Sequence, residues 1–512
     1  MTQAAAPARA DAPAESRGWL LPLLVLVSGM FMSVLDTSIV NVAIPKMQSI
    51  FGVTADDIEW IATSYTLVLG VIVPASSWLA NRVGMSRLYV ISLLAFAGGS
   101  ALCGVAWDLD SMIAFRVLQA IPGGVLPVVS LSMLYQIVPK ERIGSAMGIY
   151  GLGVVVAPAV GPTLGGYLVE YVDWRLIFFI NVPVGVLGAI AAFLLLPAFT
   201  GQPAGRFDFL GFLTIATGLS ALLLALSEGQ SWGWTAYPTV ILIVLGVVCL
   251  ALFVVIENAV ENPLLDVRVF RVWPYTNSLL LISVLSIGLF SVLFYIPVYL
   301  QQARGLGAFE AGLLLMPQAL VMLVLMPVAG QIYDRIGARV PAVAGLSIMA
   351  VATFMMRDLT AVTSQGEIVS LLCLRAFGTG LAMMPIMTGG ISAVPPTIVS
   401  SASAFNNVVQ RVSAALGLAA LTAFMTIQQA QLGADRGGLM SSDRMPALGG
   451  GQDGQVLGTM MVYRQTNTQV FVSALDDVML ITAIMTAGAV VLACFLRHGR
   501  SASAGGGPAM VD

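Results

Sequence analysis

Asp36 is the first residue that demands a chemical explanation. It lies in FMSVLDTSIVNV, Phe31 to Val42, within an apolar run from Trp19 to Ile44 that is long enough to cross a bilayer. A carboxylate in hydrocarbon costs about 2.5–3.5 kcal/mol even on the lenient insertion scale. A second embedded charge stands in RVLQAIPGG, where Arg116, Gln119 and Gly123 fall at i, i+3 and i+7, on one helical face. Arg116 keeps its proton, so inside a span it needs a partner or water. Apolar surroundings hold a carboxyl neutral and a nearby guanidinium ionises it. Helix movement that makes and breaks such a pair would load and release a proton. Two plainer readings stand beside this one. The pair could be a static brace between helices, and Arg116, about 8 Å along its helix from the outer end, could snorkel to the interface.

Little else in the chain suggests chemistry. The only histidine, His498, lies in a polar tail, and Cys103, Cys249, Cys373 and Cys494 sit in apolar runs without CxxC spacing. No metal site, catalytic cluster or G-x4-G-K-[ST] phosphate loop is present. Asp476 and Asp477 begin a span, where acids suit a helix N-terminus, and Glu170 and Glu228 fall at span ends.

The elements that must position these residues are membrane helices. The 512 residues are 58% hydrophobic and only 10% charged, against about 25% charged in soluble domains. That makes an all-α polytopic membrane protein. Net charge is −3 with no basic tail, which excludes nucleic acid as a partner. Residues 1–18 are Ala/Pro-rich and read as disordered. The run after them is too long for a signal-peptide core and no A-x-A site follows, so it stays as the first span.

Apolar windows give fourteen spans, beginning near Trp19, Ile58, Leu88, Ser111, Ser145, Leu176, Phe209, Tyr237, Asn277, Ala311, Val340, Ile368, Ser401 and Phe471. An even number leaves both termini on one side. With that side cytoplasmic, thirteen lysines and arginines fall inside and seven outside, which supports cytoplasmic termini. Arg116, Arg375 and Arg411 lie within spans.

An internal repeat organises the spans. NRVGMSR after span 2 matches DRIGAR after span 10, and FRVLQAIPGG in span 4 matches LRAFGTGLAM in span 12. The offsets, Gly84 to Gly337 (253 residues) and Arg116 to Arg375 (259 residues), are nearly equal. Two parallel six-span halves, 19–200 and 276–496, therefore flank an inserted helix pair and linker, 201–275. A long loop is expected over 428–470 and a cytoplasmic tail over 497–512.

Motifs then carry a resemblance. SSWLANRVGMSRL and GQIYDRIGARV resemble the major-facilitator loop signature G-x-L-a-D-R-x-G-r-[RK]. The second copy keeps Gly330, Asp334, Arg335, Gly337 and Arg339. The first keeps Arg82, Gly84 and Arg87 but has Ser77 for Gly and Asn81 for Asp. The acid suits a neighbouring helix N-terminus, and the arginines suit helix ends or anionic headgroups. In span 5, GIYGLGVVVAPAVGPTLGGYL resembles the G-x8-G-x3-G-P-x2-G-G antiporter signature, with Gly148, Gly161, Pro162, Gly165 and Gly166 in place and Ala157 at one glycine position. Small residues there let another helix pack closely.

Together with LDTSIVNVAIP, DWRLIFFINVPVG and ENPLLDVRVFR, these motifs identify the chain, from about Trp19 to Phe495, as similar to the 14-span drug:proton antiporters of the EmrB/QacA type within the major facilitator superfamily. The resemblance implies a major-facilitator fold, with spans 1 and 4 lining a central cavity and the proton-coupling acid, Asp36, beside Arg116 and Gln119. It implies multidrug efflux from the cell membrane in exchange for protons, with no cofactor beyond the proton gradient. The expected partners are a lipophilic small molecule, H+ and membrane lipid, around a monomer, with a periplasmic adaptor protein left open.

For the substrate surface, the aromatic and Met-rich stretches of spans 9 and 12 offer Phe294, Tyr295 and Met384, with Tyr65 and Gln318 as further cavity residues. Such stripes also serve helix packing. One embedded carboxylate beside Arg116 suggests lipophilic monocations or neutral guests. An exporter or flippase of an endogenous lipid or metabolite is the alternative within transport. A membrane-embedded enzyme is a remote one, because the loops are short and apolar.

Overall fold

In a computed structural model, the described residues are 18–199, 205–261, 263–438 and 452–496. They fold as fourteen apolar helices long enough to span a bilayer, with no strand among them. The first six are α1 (Leu20–Phe51), α2 (Ala55–Val83), α3 (Met85–Gly104), α4 (Leu109–Ile137), α5 (Ile143–Tyr171) and α6 (Leu176–Leu195). Next come α7 (Phe209–Trp232) and α8 (Tyr237–Ala259). The last six are α9 (Trp273–Gln302), α10 (Ala308–Ile336), α11 (Arg339–Met355), α12 (Gln365–Ser392), α13 (Val399–Gly438) and α14 (Gln452–Ala493).

Polar caps start several of these helices where the apolar runs begin. The Thr54 side chain accepts from the Asp57 amide, Asp108 and Ser111 form a reciprocal capping box, and Asp208 and Ser364 cap α7 and α12. The Ser111 hydroxyl and amide also hold the exposed Asp108 carboxyl below the usual carboxylate range. Gly84 (φ +91°) and Gly337 (φ +79°) end α2 and α10 in the left-handed region that other residues avoid. The two repeat copies thus share one backbone solution.

The first and last six helices form two halves. The α7–α8 pair packs through α7 on α2 of the first half and α13 of the second. α8 leans mainly on α7 and is the least buried span apart from that contact. Residues 1–17 and 497–512, the tails anticipated from composition, lie outside the described residues. The expected 428–470 loop needs correction, because helix continues through Gly438 and resumes at Gln452. Its Gly- and Gln-rich composition concealed two helices that run well past their apolar windows, and 439–451 lie outside the described residues. α1 also outruns its apolar window, continuing through Pro45 to Phe51. Asp36 therefore sits about 22 Å from that end, near mid-helix, and not the roughly 12 Å that the apolar window alone suggests.

Candidate functional site

Asp36, on α1, is fully buried, as is Gln119, and Arg116 is 1% exposed. Arg116 Nη1 donates to Asp36 Oδ2 at 2.5 Å and to Gln119 Oε1 at 2.8 Å. Gln119 Nε2 donates to Asp36 Oδ1 at 2.9 Å. The i, i+3 spacing on α4 thus aims a guanidinium and an amide at one carboxylate. Arg116 Nε reaches the Ile61 carbonyl at 3.4 Å, and its Cζ lies 3.7 Å from the centroid of the Tyr65 ring. Tyr65, expected in the substrate cavity, is instead fully buried as the stacking partner of this pair.

Asn181 and Ser100 complete the network and were not apparent from the sequence. Asn181 Nδ2, at the head of the longer segment of α6, donates to Asp36 Oδ1 at 3.0 Å and contacts Ser100 Oγ at 3.1 Å. Ser100 in turn donates to the Phe178 carbonyl at 2.8 Å. The signal was an asparagine inside FFINVPVG, an apolar setting in which an amide must find a partner. The Asp36 carboxylate therefore receives donors from α4 and α6 while resting on α1. A buried pair of this kind gains little net stability over apolar packing, and removing one partner costs about 3–5 kcal/mol. Its presence in a span is better explained by chemistry than by stability.

The second half repeats the arginine without the acid. Arg375 is 2% exposed and donates to the Gly288 carbonyl and, at 3.2 Å, to Thr353 Oγ1. Among the described residues, the embedded arginine–carboxylate pair therefore belongs to the first half.

The repeated loops share one face with the start of α5 and of α13, here called the loop face. Asp334 accepts from the Gly144 amide (2.7 Å), the Ser145 amide (2.9 Å) and the Ser145 hydroxyl (2.6 Å), so it caps α5 of the opposite half. The first copy makes a weaker counterpart, Ser77 Oγ donating to the Ser400 carbonyl at 3.3 Å. Asn81 is exposed, as are Arg82, Arg87, Arg335 and Arg339.

The antiporter motif divides between two partners. Gly148 abuts Met326 and Pro327 of α10, and Gly330 of α10 abuts Gly144, so any side chain at these positions would collide with backbone. Gly161 and Gly165 pack on Ser38 and Ile39 of α1, and the Ala157 carbonyl accepts from Ser38 Oγ at 3.3 Å. Pro162 is exposed within α5, and Gly166 faces open space.

The remaining cavity candidates do not converge. Tyr295 is buried and bonds Thr422 of α13 at 2.8 Å, while Phe294 beside it is partly exposed. Gln318 is half-buried on α10. Met384 turns towards Gly151 of α5, whereas its neighbours Met383 and Met387 line a small cavity between α9, α12 and α13. Met383 and Met387, four positions apart, share one helix face, whereas Met384, one position on from Met383, turns about 100° away, so the Met-rich stretch is divided between two surfaces.

The sequence model of the Major Facilitator Superfamily matches residues 26–418. The chain belongs to the major facilitator superfamily. It is 35% identical over 404 residues to the uncharacterized MFS-type transporter YhcA of Bacillus subtilis (strain 168), covering 79% of this chain and 76% of that one. It is 32% identical over 413 residues to the multidrug resistance protein B homolog of Mycobacterium tuberculosis (strain ATCC 25618 / H37Rv), again covering 79% and 76%. The fold is similar to that of the major-facilitator proton:xylose symporter XylE, with TM-score 0.59, 13% identity and coverage of 94% of this chain and 96% of that one. This major-facilitator protein is a multi-pass membrane transporter and not an enzyme.

Proposed function

We propose that this transporter exports lipophilic compounds across the cell membrane in exchange for protons, with the loop face and both termini in the cytoplasm. The observation that carries the reading is the buried Asp36 carboxylate, held by donors from Arg116, Gln119 and Asn181. Moving α1 away from α4 and α6 would break these bonds and free the carboxyl group to exchange a proton. A change of packing between these helices then alternates proton uptake with release as the two halves rock. The names of relatives such as the multidrug resistance protein B homolog support efflux of varied compounds. Its energy source is the proton gradient, and neither a cofactor nor a metal enters the cycle.

The test is transport in proteoliposomes under an imposed pH gradient. Asp36→Asn keeps one acceptor oxygen for Arg116 but cannot titrate. Gradient-driven efflux of a lipophilic dye should vanish while dye binding persists. Wild-type, gradient-driven efflux by Asp36→Asn would overturn the proposal.

A further inference from the structure

The inserted pair, α7 and α8, carries two acids that the transport core does not use. Glu257 stands in the last turn of α8 and is 4% exposed, and Asp208 caps the start of α7. Each gives one oxygen to backbone. Glu257 Oε1 accepts from the Leu265 amide at 3.4 Å, and Asp208 Oδ1 from the Gly211 amide at 2.8 Å. The other oxygens, Glu257 Oε2 and Asp208 Oδ2, are buried without a hydrogen-bond partner. The two carboxyl groups are neighbours across Gly211. A methyl group there would overlap Asp208 Oδ2 and come within 3.0 Å of Glu257 Oε1. Neither acid forms an ion pair among the described residues. Arg206 ahead of α7, Arg82 at the end of α2 and Glu261 just past α8 are all exposed. In the linker to α9, half-buried Asp266 adds another negative charge beside exposed Arg268, at 3.9 Å. α13 brings the Ser401 hydroxyl, which accepts from the Asp266 amide at 3.1 Å.

Two buried carboxylates side by side, with no counter-charge paired to them, do not both stay ionised. We propose that Glu257 and Asp208 form a second proton-binding site, apart from Asp36, in which one shared proton holds the α8–α9 linker against the inserted pair. The helix ends decide which acid carries it. Asp208 lies at the positive end of α7 and Glu257 at the negative end of α8, so the proton resides on Glu257. A protonated carboxyl is a donor, and an unpartnered oxygen of Asp208 is at hand to accept. The pair titrates as a unit. Once the proton is lost, repulsion drives Glu257 towards water and frees Leu264 and Leu265 from their seat. The docked linker thus binds one more proton than the released one, so docking holds in acid and is lost as pH rises. The consequence reaches beyond the inserted pair. Asp266 joins the linker to Ser401, and Ser400 beside it accepts the bond from Ser77 of the first half. Protonation at the end of α8 is therefore coupled to the start of α13, where the two halves meet.

The test follows the linker and the proton separately, in full-length protein in lipid nanodiscs. Leu264 is 4% exposed, so Leu264→Cys, in a background lacking the four native cysteines, gives a thiol that is covered while the linker is docked. Maleimide labelling quickens with pH through the thiolate alone. Each rate is therefore divided by that of the same protein carrying Glu257→Gln, whose amide stays neutral, at the same pH. The ratio should be near one in acid and climb with pH towards about tenfold per pH unit, the slope of a single linked proton. Asp208→Asn, which keeps a capping oxygen, should flatten the climb. A ratio that ignores pH would overturn the proposal, and so would a climb that survives Asp208→Asn. Infrared titration in an Asp36→Asn background, where the transport acid is silent, reads the proton without any cysteine. Subtracting the Glu257→Gln spectrum from its parent should leave a protonated-carboxyl band that fades as pH rises. A difference without that band would also overturn the proposal. Neither readout involves transport, so the export reading and this one fail separately.

Discussion

At the scale of single residues, the site is a carboxylate whose every neighbour was chosen by helix adjacency. Asp36, Arg116 and Gln119 were legible in the sequence because charged and amide side chains are conspicuous in apolar runs, and because i, i+3 spacing puts the last two on one face. Asn181 and Ser100 were not, since many spans carry a serine or asparagine, and only packing reveals which of them meet. Asn181 also offers a clean perturbation. Asn181→Leu has nearly the same volume but removes a donor to an ionised carboxylate, a bond of about 1.5–3 kcal/mol. We expect gradient-driven efflux to fall by about tenfold or more and the thermal midpoint in detergent to drop with it. Unchanged efflux would show that Arg116 and Gln119 alone set the state of Asp36.

At the scale of elements, α5 is the helix that serves both halves. The sequence displayed its small-residue face but could not show that the face is split. The Gly144–Gly148 segment packs on α10 of the other half, and the Ala157–Gly165 segment packs on α1 of its own. Both need close backbone approach, for different ends: one closes the contact between the halves, the other positions α1 and hence Asp36. The Asp334 cap belongs to the contact between the halves. Its two oxygens accept three bonds at the start of α5, whereas the first-half loop contributes a single serine bond. Asp334→Asn leaves one acceptor oxygen and no charge for the helix end. It should slow efflux severalfold, while Asn81→Ala, at an exposed position, should change it little. Initial efflux rates from vesicles of matched protein content decide this, and a larger loss from Asn81→Ala would reverse the assignment of the principal latch.

At the scale of the molecule, the fourteen spans and the two-half plan followed from apolar windows and from a repeat whose offsets agree within a few residues. What the windows missed were the polar ends of α1, α13 and α14, where helix continues after its hydropathy has faded. Among the described residues, four hydrogen bonds join the halves at the loop face. Met384 of α12 also meets Gly151 of α5 across the same seam. If transport requires the halves to part there, fastening them should stop it. Ser77→Cys with Ser400→Cys, on α2 and α13 in a background lacking the four native cysteines, puts one thiol on each of the two residues that now meet through the Ser77 hydroxyl and the Ser400 backbone carbonyl at 3.3 Å. A short cleavable bifunctional thiol reagent should abolish efflux, and reductant should restore it, while either single-cysteine variant stays active after the same treatment. Efflux that continues in fully cross-linked protein would mean that guests pass without any opening of the loop face. Alternating access by rocking of the two halves would then be wrong for this chain.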